Sequence, residues 1–285
     1  MILNSRFLTP RHHLEPPYHH TTPQRTQPHH SDSRTLPEGD GIFRLNSLPT
    51  MSDHDQRSPS PEFSLDLDEG LAPLPTYKTA GTVEVGFEGL LAEPVKLHED
   101  LKSGCGGMLW PAGMVLAKHM LRYHLNELPH SRILELGAGG GLVGLSVAKA
   151  CHLETPMYLT DQEEMEELMH HNISLNGLDD QVKARILNWG EPLSQEIVDF
   201  KADTILAADC VYFEPAFPLL MQTMQDLLAA SPSATIYFCF KKRRQADMRF
   251  LKAAKKTFQA TEIEDEDRPV FSREGLFLYA LKRKC

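Results

Sequence analysis

The sequence Ile133-Leu-Glu-Leu-Gly-Ala-Gly-Gly-Gly-Leu-Val-Gly-Leu leads from one short apolar segment through closely spaced glycines into a second. Glycine lets the backbone turn sharply and approach a ligand without a Cβ in the way, and a helix start offers free N–H groups. The pattern therefore predicts a strand, a ligand-binding loop and a helix. The dinucleotide fingerprint G-x-G-x-x-G needs glycine at position 142, where this chain has Leu142, so nicotinamide binding is disfavoured.

Other short apolar or β-branched runs follow this loop, separated by helix-like or loop segments. They are Met157-Tyr-Leu-Thr, Lys183-Ala-Arg-Ile-Leu, Thr204-Ile-Leu-Ala-Ala and Thr235-Ile-Tyr-Phe-Cys-Phe. That alternation predicts an α/β fold of βαβ units, with a doubly wound, mostly parallel sheet and helices on both faces. The runs 258–263 and 275–281 have no helical pattern between them, which predicts an antiparallel pair closing one edge.

The N-terminal part of the chain has a different composition. Residues 1–72 are rich in Pro, Ser, Thr and His and show no sustained period, so we predict that they are disordered. From Tyr77 onward strand-like alternation and then helical spacing begin. We therefore expect one folded domain over residues 73–285.

Composition limits the possible functions. No stretch approaches the roughly 20 consecutive apolar residues of a membrane helix, and the N-terminus lacks a secretory signal, so a soluble, cytoplasmic protein is expected. The five cysteines are scattered without a C-x-x-C pair, so we predict neither a disulfide framework nor a metal site. The formal net charge of −10 disfavours nucleic acid and favours a basic partner. Nothing in the sequence argues strongly for more than a monomer.

Three side chains around the loop are candidate ligand contacts. Asp161 closes the second core strand about twenty residues past the loop, where such folds place an acid against ribose hydroxyls. It could instead cap a helix starting at Gln162. Trp189, after the third strand, could stack on adenine or simply fill the core. Glu135 could hold the loop backbone or a cationic amino group.

Five motifs in this order make the chain resemble the seven-strand S-adenosylmethionine methyltransferases, and more closely methyltransferase family 16. They are Leu109-Trp-Pro-Ala-Gly, Glu135-Leu-Gly-Ala-Gly, Asp161, Asn188-Trp-Gly and Ala208-Asp-Cys-Val-Tyr. Known members of that family methylate lysine on non-histone proteins. The resemblance covers about residues 80–283 and implies a seven-strand sheet with S-adenosylmethionine as cofactor. It also implies that the cofactor lies against Trp110, Gly137, Ala138, Gly139, Asp161, Trp189 and Ala208.

The same resemblance concerns the methyl acceptor. In that family the D-x-x-Y motif, here Asp209 to Tyr212, faces the target lysine, which implies catalytic roles for Asp209 and Tyr212. Alternatively, Asp209 could serve only to cap the loop, and Tyr212 could serve only to line the wall of the pocket. Methyltransferases that act on amide or base nitrogens usually carry N/D-P-P-Y here, so Cys210 and Val211 argue against such acceptors. The chain also looks like the fungal elongation-factor methyltransferases, particularly the sixth of that series, partly through Asp267-Arg-Pro-Val-Phe-Ser-Arg-Glu-Gly-Leu-Phe-Leu-Tyr. That resemblance implies translation elongation factor 1-alpha as protein partner.

Two alternatives and two charged segments complete the sequence-based expectations. A small-molecule or nucleic-acid methyltransferase on the same fold would keep the cofactor and change the acceptor. An inactive binding module should have a damaged glycine loop or lack Asp161, and both are intact. Lys241-Lys-Arg-Arg is interpreted as a solvated helix entrance rather than a nuclear signal or phosphate site. Glu262-Ile-Glu-Asp-Glu-Asp is interpreted as a polar turn, although it could attract a basic substrate.

Overall fold

The structure is a computed structural model that describes residues 81–99 and 107–284. The predicted disorder of residues 1–72 lies outside the described residues. The proposed domain limits of 73–285 therefore stay a prediction.

The described chain alternates strands and helices. The strands are β1 (Gly81–Val85), β2 (Val95–Glu99), β3 (Ile133–Leu136), β4 (Met157–Asp161), β5 (Val182–Ile186), β6 (Thr204–Ala208), β7 (Thr235–Lys241), β8 (Phe258–Glu262) and β9 (Leu276–Arg283). The helices are α1 (Pro111–Tyr123), α2 (Leu142–Ala150), α3 (Glu166–Leu175), α4 (Gln195–Phe200), α5 (Phe217–Ala230), α6 (Gln245–Thr257) and α7 (Arg268–Phe271).

Seven of the strands form one sheet in the order β5-β4-β3-β6-β7-β9-β8. Strands β3 to β7 run parallel, whereas β9 is antiparallel to both of its neighbours. The expected α/β fold, with its mostly parallel seven-strand sheet and antiparallel C-terminal edge, is thus confirmed. Strand order reverses beside β3, so a crevice opens there at the carboxyl ends of the strands.

The apolar runs that signal the strands are buried on both faces of the sheet. In β3, Leu134 and Leu136 pack with α5 and α6, whereas Ile133 packs with α1 and α2 on the opposite face. Successive side chains of a strand point to opposite faces, so a strand covered on both sides reads as a continuous apolar run. This burial places the loop after β3 at the crevice.

Two features near the chain ends differ from expectation. The hairpin β1-β2 is a separate antiparallel sheet, of which only the first strand was predicted. The short helix α7 lies between β8 and β9, where no helix was expected. It has four residues, too few for an apolar period of 3.6 to be visible in the sequence.

The acidic turn before α7 is more than a polar loop. The Asp265 carboxylate is buried against Nδ1 of His119, 2.7 Å away, and Asp267 pairs with Lys118 at 2.9 Å and Arg122 at 3.0 Å. These contacts fasten the turn to α1. The segment is a polar turn, as predicted. Its ion pairs were not predicted because their partners lie far away in the sequence.

Within the ranges that the structure describes, no helix combines the length and apolarity needed to cross a bilayer.

Candidate active site

One cleft, with a volume of about 430 Å³, brings all of the predicted site residues together. It opens where β3, β4 and β6 end, because the register aligns Leu136 with Thr160 on one side and Ala207 on the other. The predicted residues that line it are Trp110, Gly137, Ala138, Gly139, Asp161, Trp189, Ala208, Asp209 and Tyr212.

The glycine loop has the close approach that its sequence predicts. Gly137 has φ +66°, in the left-handed region that favours glycine. A Cβ at this position would lie 2.9 Å from Cζ2 of Trp189 and 3.0 Å from Sγ of Cys210. The Trp189 ring therefore lies against the loop, lines the cleft and also packs against the core, and its stacking on adenine stays a prediction. The Asn188 amide donates a hydrogen bond to Oε2 of Glu191 at 3.1 Å.

Asp161 fastens the glycine loop to the end of β4. Its Oδ2 accepts a hydrogen bond from Gly139 N at 2.7 Å, and Oδ1 accepts one from Gln162 N at 2.8 Å. Burial raises the pKa of this carboxyl despite the two hydrogen bonds. A short 3-10 helix, Glu163–Met165, begins directly after Gln162 and leads into α3 at Glu166, so Asp161 also lies just before a helical segment. Asp161 thus supports the local backbone while it also lines the cleft.

Glu135 lies at the floor of the cleft and is buried. Its Oε2 accepts a hydrogen bond from Gly144 N at 2.7 Å, in the first turn of α2. Glu135 could hold either the loop backbone or a cationic amino group, and this hydrogen bond is a contact of the first kind. The Glu135 carboxyl also lines the cleft. Burial raises the pKa of the Glu135 carboxyl to about 8, because loss of hydration outweighs the hydrogen bond from Gly144.

This raised pKa predicts a pH-dependent stability. Between the ordinary pKa of 4.5 and about 8, folded Glu135 keeps a proton that the unfolded chain has released. The free energy of unfolding of the ligand-free protein should therefore fall as pH rises across that range. Urea unfolding at pH 5, 6.5 and 8 measures it, and Glu135→Gln should flatten the slope. An exposed control, Glu167→Gln, should keep the wild-type slope; equal slopes in all three proteins would contradict the prediction.

The D-x-x-Y segment forms a tight corner after β6. Asp209 has φ +55°, and its buried carboxylate accepts hydrogen bonds from Lys241 N and from both terminal nitrogens of Arg243. Cys210 and Val211 are buried, and the Cys210 thiol donates to Leu136 O at 3.2 Å. Tyr212 is half exposed at the cleft. The corner thus anchors Asp209 and directs Tyr212 outward.

Arg243 and Arg244 lie at the exposed entrance to α6, as predicted, but both also contact the corner after β6. Arg243 is partly buried against Asp209, and its guanidinium carbon lies 5.2 Å from the centre of the Trp110 ring. Arg244 pairs with Asp247 and donates to the backbone oxygen of Tyr212. Asp247 is a local partner of Arg244, three residues away. Asp209, Tyr212 and Trp110 lie far from the two arginines in the sequence, so no local pattern marks those contacts.

The β1-β2 hairpin and the glycine loop are joined by a buried side chain that no sequence pattern marks. Asn172 of α3 is fully buried; its Oδ1 accepts from His98 N at 2.7 Å, and its Nδ2 donates to Gly140 O at 2.9 Å. Residues Leu97, His98 and Glu99 of β2 consequently line the cleft. Among the described residues, no group of His, Cys, Asp or Glu side chains is arranged to hold a metal ion.

Comparisons with known proteins agree with this architecture. A family model described as lysine methyltransferase matches residues 91–257. The chain is 37% identical over 226 residues to protein-lysine N-methyltransferase EFM6 of Saccharomyces cerevisiae, which covers 72% of this chain and 92% of that protein. It is 33% identical over 173 residues to protein N-lysine methyltransferase METTL21A of Danio rerio, covering 59% and 76%. It is 30% identical over 148 residues to EEF1A lysine methyltransferase 3 of Mus musculus, covering 50% and 58%.

The family model covers more than half of the chain, and the yeast relative is matched over nearly its whole length. The chain therefore belongs to the lysine methyltransferase family and is a protein-lysine N-methyltransferase.

Proposed function

We propose that this chain transfers a methyl group from S-adenosylmethionine to a lysine ε-amine of translation elongation factor 1-alpha. The observation that carries the proposal is the meeting of the glycine loop, Asp161 and the Asp209–Tyr212 corner in one cleft. A cofactor and an acceptor nitrogen could be held side by side there.

The residues of the cleft fit the cofactor that the family implies. Gly137, with its positive φ, and the neighbouring Ala138 and Gly139 line the cleft with backbone and no bulky side chain. Asp161 offers a carboxylate to ribose hydroxyls, and the Trp189 ring offers a face to adenine. Trp110, Ala138, Gly139 and Ala208 would complete the cofactor contacts. When bound, the cofactor supplies an electrophilic methyl group on a sulfonium, and the C–S bond breaks as the N–C bond forms.

The enzyme must align a nitrogen lone pair with that methyl group and exclude water. A free lysine has a pKa of about 10.4, so nearly every ε-amine carries a proton at neutral pH and cannot attack. The ammonium therefore loses one proton to solvent on the enzyme before transfer. In this proposal Asp209 and the Tyr212 hydroxyl hold and orient the ε-nitrogen in the cleft.

Three observations support an elongation factor as substrate. One relative is named for action on EEF1A, and the sequence resembles the fungal elongation-factor methyltransferases. The net charge of −10 also favours encounter with a basic protein. We place the reaction in the cytoplasm, with the enzyme acting as a monomer and without direct contact to nucleic acid or membrane.

Radiolabel transfer tests the proposal. Labelled S-adenosylmethionine and the enzyme are added to an extract of cells that lack this enzyme, beside an Asp209→Ala reaction. A single labelled protein at the mass of elongation factor 1-alpha, with methyl-lysine found by mass spectrometry, is the expected result. Label in nucleic acid or small metabolites would favour the alternative acceptors. Cofactor binding without any labelling would favour an inactive binding module.

The phenol of Tyr212 has a separate expected effect. Tyr212→Phe should lower turnover about tenfold, as expected for loss of one hydrogen bond to the reacting nitrogen, with cofactor affinity unchanged. Initial rates at saturating substrates measure turnover, and calorimetry measures affinity. Tyr158→Phe is the matched control because Tyr158 stacks on Phe200, away from the cleft. Full turnover of Tyr212→Phe would reject the role of the hydroxyl.

A further inference from the structure

The Asp209 carboxylate is already occupied by a cation from its own chain. Oδ1 accepts from Lys241 N at 3.1 Å and from Arg243 Nη1 at 2.9 Å, and Oδ2 accepts from Arg243 Nη2 at 2.8 Å. The Asp209 side chain is only 2% exposed. This is a bidentate arginine–carboxylate pair, which fixes geometry as well as charge.

Arg243 is itself held from three sides. Its backbone N donates to Asp247 Oδ2 at 2.8 Å at the start of α6, and its guanidinium lies over the Trp110 ring. Hydrogen bonding to Asp209 raises the pKa of the Arg243 guanidinium above its already high value, so this charge is permanent. Among the described residues that line the cleft, Arg243 is the only arginine or lysine.

The pairing changes what the corner does to an incoming lysine. A bare carboxylate beside the ε-nitrogen would favour the ammonium form, which cannot attack. The Asp209–Arg243 pair carries no net charge but still has a fixed acceptor oxygen. We propose that Arg243 is a positioning residue that neutralises Asp209, so that the corner receives the acceptor lysine as an uncharged amine. This inference rests on the proposed function.

The other charged groups around this position come from every strand that borders the cleft. Beside Asp209 and Arg243 they are Tyr212 after β6, Asp247 in α6, Glu135 in β3, Asp161 in β4, and His98 and Glu99 in β2. Asp247 is paired with Arg244. Burial raises the pKa of Glu135 to about 8, so this acid adds little negative charge at neutral pH. Removal of Arg243 would therefore leave Asp209 as the uncompensated charge nearest the acceptor.

The pH dependence of methyl transfer tests this role. Single-turnover rates are measured from pH 6 to 10, with enzyme and cofactor in excess over the protein that the wild-type enzyme labels. Arg243→Gln should raise the midpoint of the pH–rate profile by about one pH unit. The rate should then be about tenfold lower than that of the wild type near pH 7 and should return almost to the wild-type rate near pH 10. Arg243→Lys keeps the positive charge, so the midpoint should not change. Its maximal rate at high pH should be lower, because an ammonium cannot make the two parallel hydrogen bonds of the guanidinium.

The matched control is Arg249→Gln, which removes the same charge from a nearby residue of α6. Arg249 pairs with Glu214 at the surface and not with Asp209, so the midpoint should stay at its wild-type value. A merely structural role of Arg243 would lower the rate equally at every pH, and an unshifted midpoint in Arg243→Gln overturns the inference. If the wild-type enzyme labels no protein lysine, the proposed function is wrong, and the inference about Arg243 is wrong with it.

Discussion

Replacing Asp161 with alanine is expected to weaken S-adenosylmethionine binding about 150- to 25,000-fold. The carboxylate would lose hydrogen bonds to two ribose hydroxyls, and bonds to a charged group contribute about 1.5–3 kcal/mol each. The substitution also removes the acceptor for Gly139 N, so the loop that borders the cofactor loses a support. Calorimetric titration with the cofactor measures the change.

Two variants separate these contributions. Asp161→Asn keeps an oxygen that can accept from Gly139 N but loses the charge, so its affinity should lie between those of wild type and Asp161→Ala. The exposed Asp180→Ala should bind as the wild type does. Wild-type affinity in a folded Asp161→Ala protein would show that Asp161 only supports the backbone of its own loop.

The parts of the fold that local pattern determines could be predicted from the sequence. Strands β3 to β7 are short apolar runs because both faces of the sheet are covered, and Gly137 is needed where Trp189 and Cys210 leave no room for a Cβ. Parallel strands bring their carboxyl ends to one edge. The residues after β3, β4 and β6 could therefore be placed in one cleft before any contact was known.

The contacts that complete the site could not be predicted, because they join residues far apart in the chain. Asn172 meets His98 across 74 positions and Arg243 meets Asp209 across 34, with no local period to mark either pair. Arg243 looked like one of four solvated bases, since a charged side chain beside a helix is usually exposed. What distinguishes it is a buried partner supplied by another strand.

Asp209→Asn is expected to lower the rate of methyl transfer about 100- to 1000-fold, in the range seen when one group that positions or polarises a reacting centre is lost. Asparagine has nearly the same size, so the corner after β6 should keep its shape, and cofactor affinity should stay within about threefold because Asp209 serves the acceptor. Single-turnover rates and calorimetry provide the two measurements. Unchanged transfer in Asp209→Asn would leave Asp209 only the role of holding the loop.

A double-mutant cycle then relates Asp209 to Arg243. Asp209 accepts two hydrogen bonds from the Arg243 guanidinium, so the two substitutions should not be additive. If Arg243 acts by neutralising Asp209, Arg243→Gln should shift the pH midpoint in the wild-type background and leave it unchanged in Asp209→Asn. A shift of the same size in both backgrounds would mean that Arg243 acts on the acceptor directly, and the assignment of Arg243 as a positioning residue would be wrong.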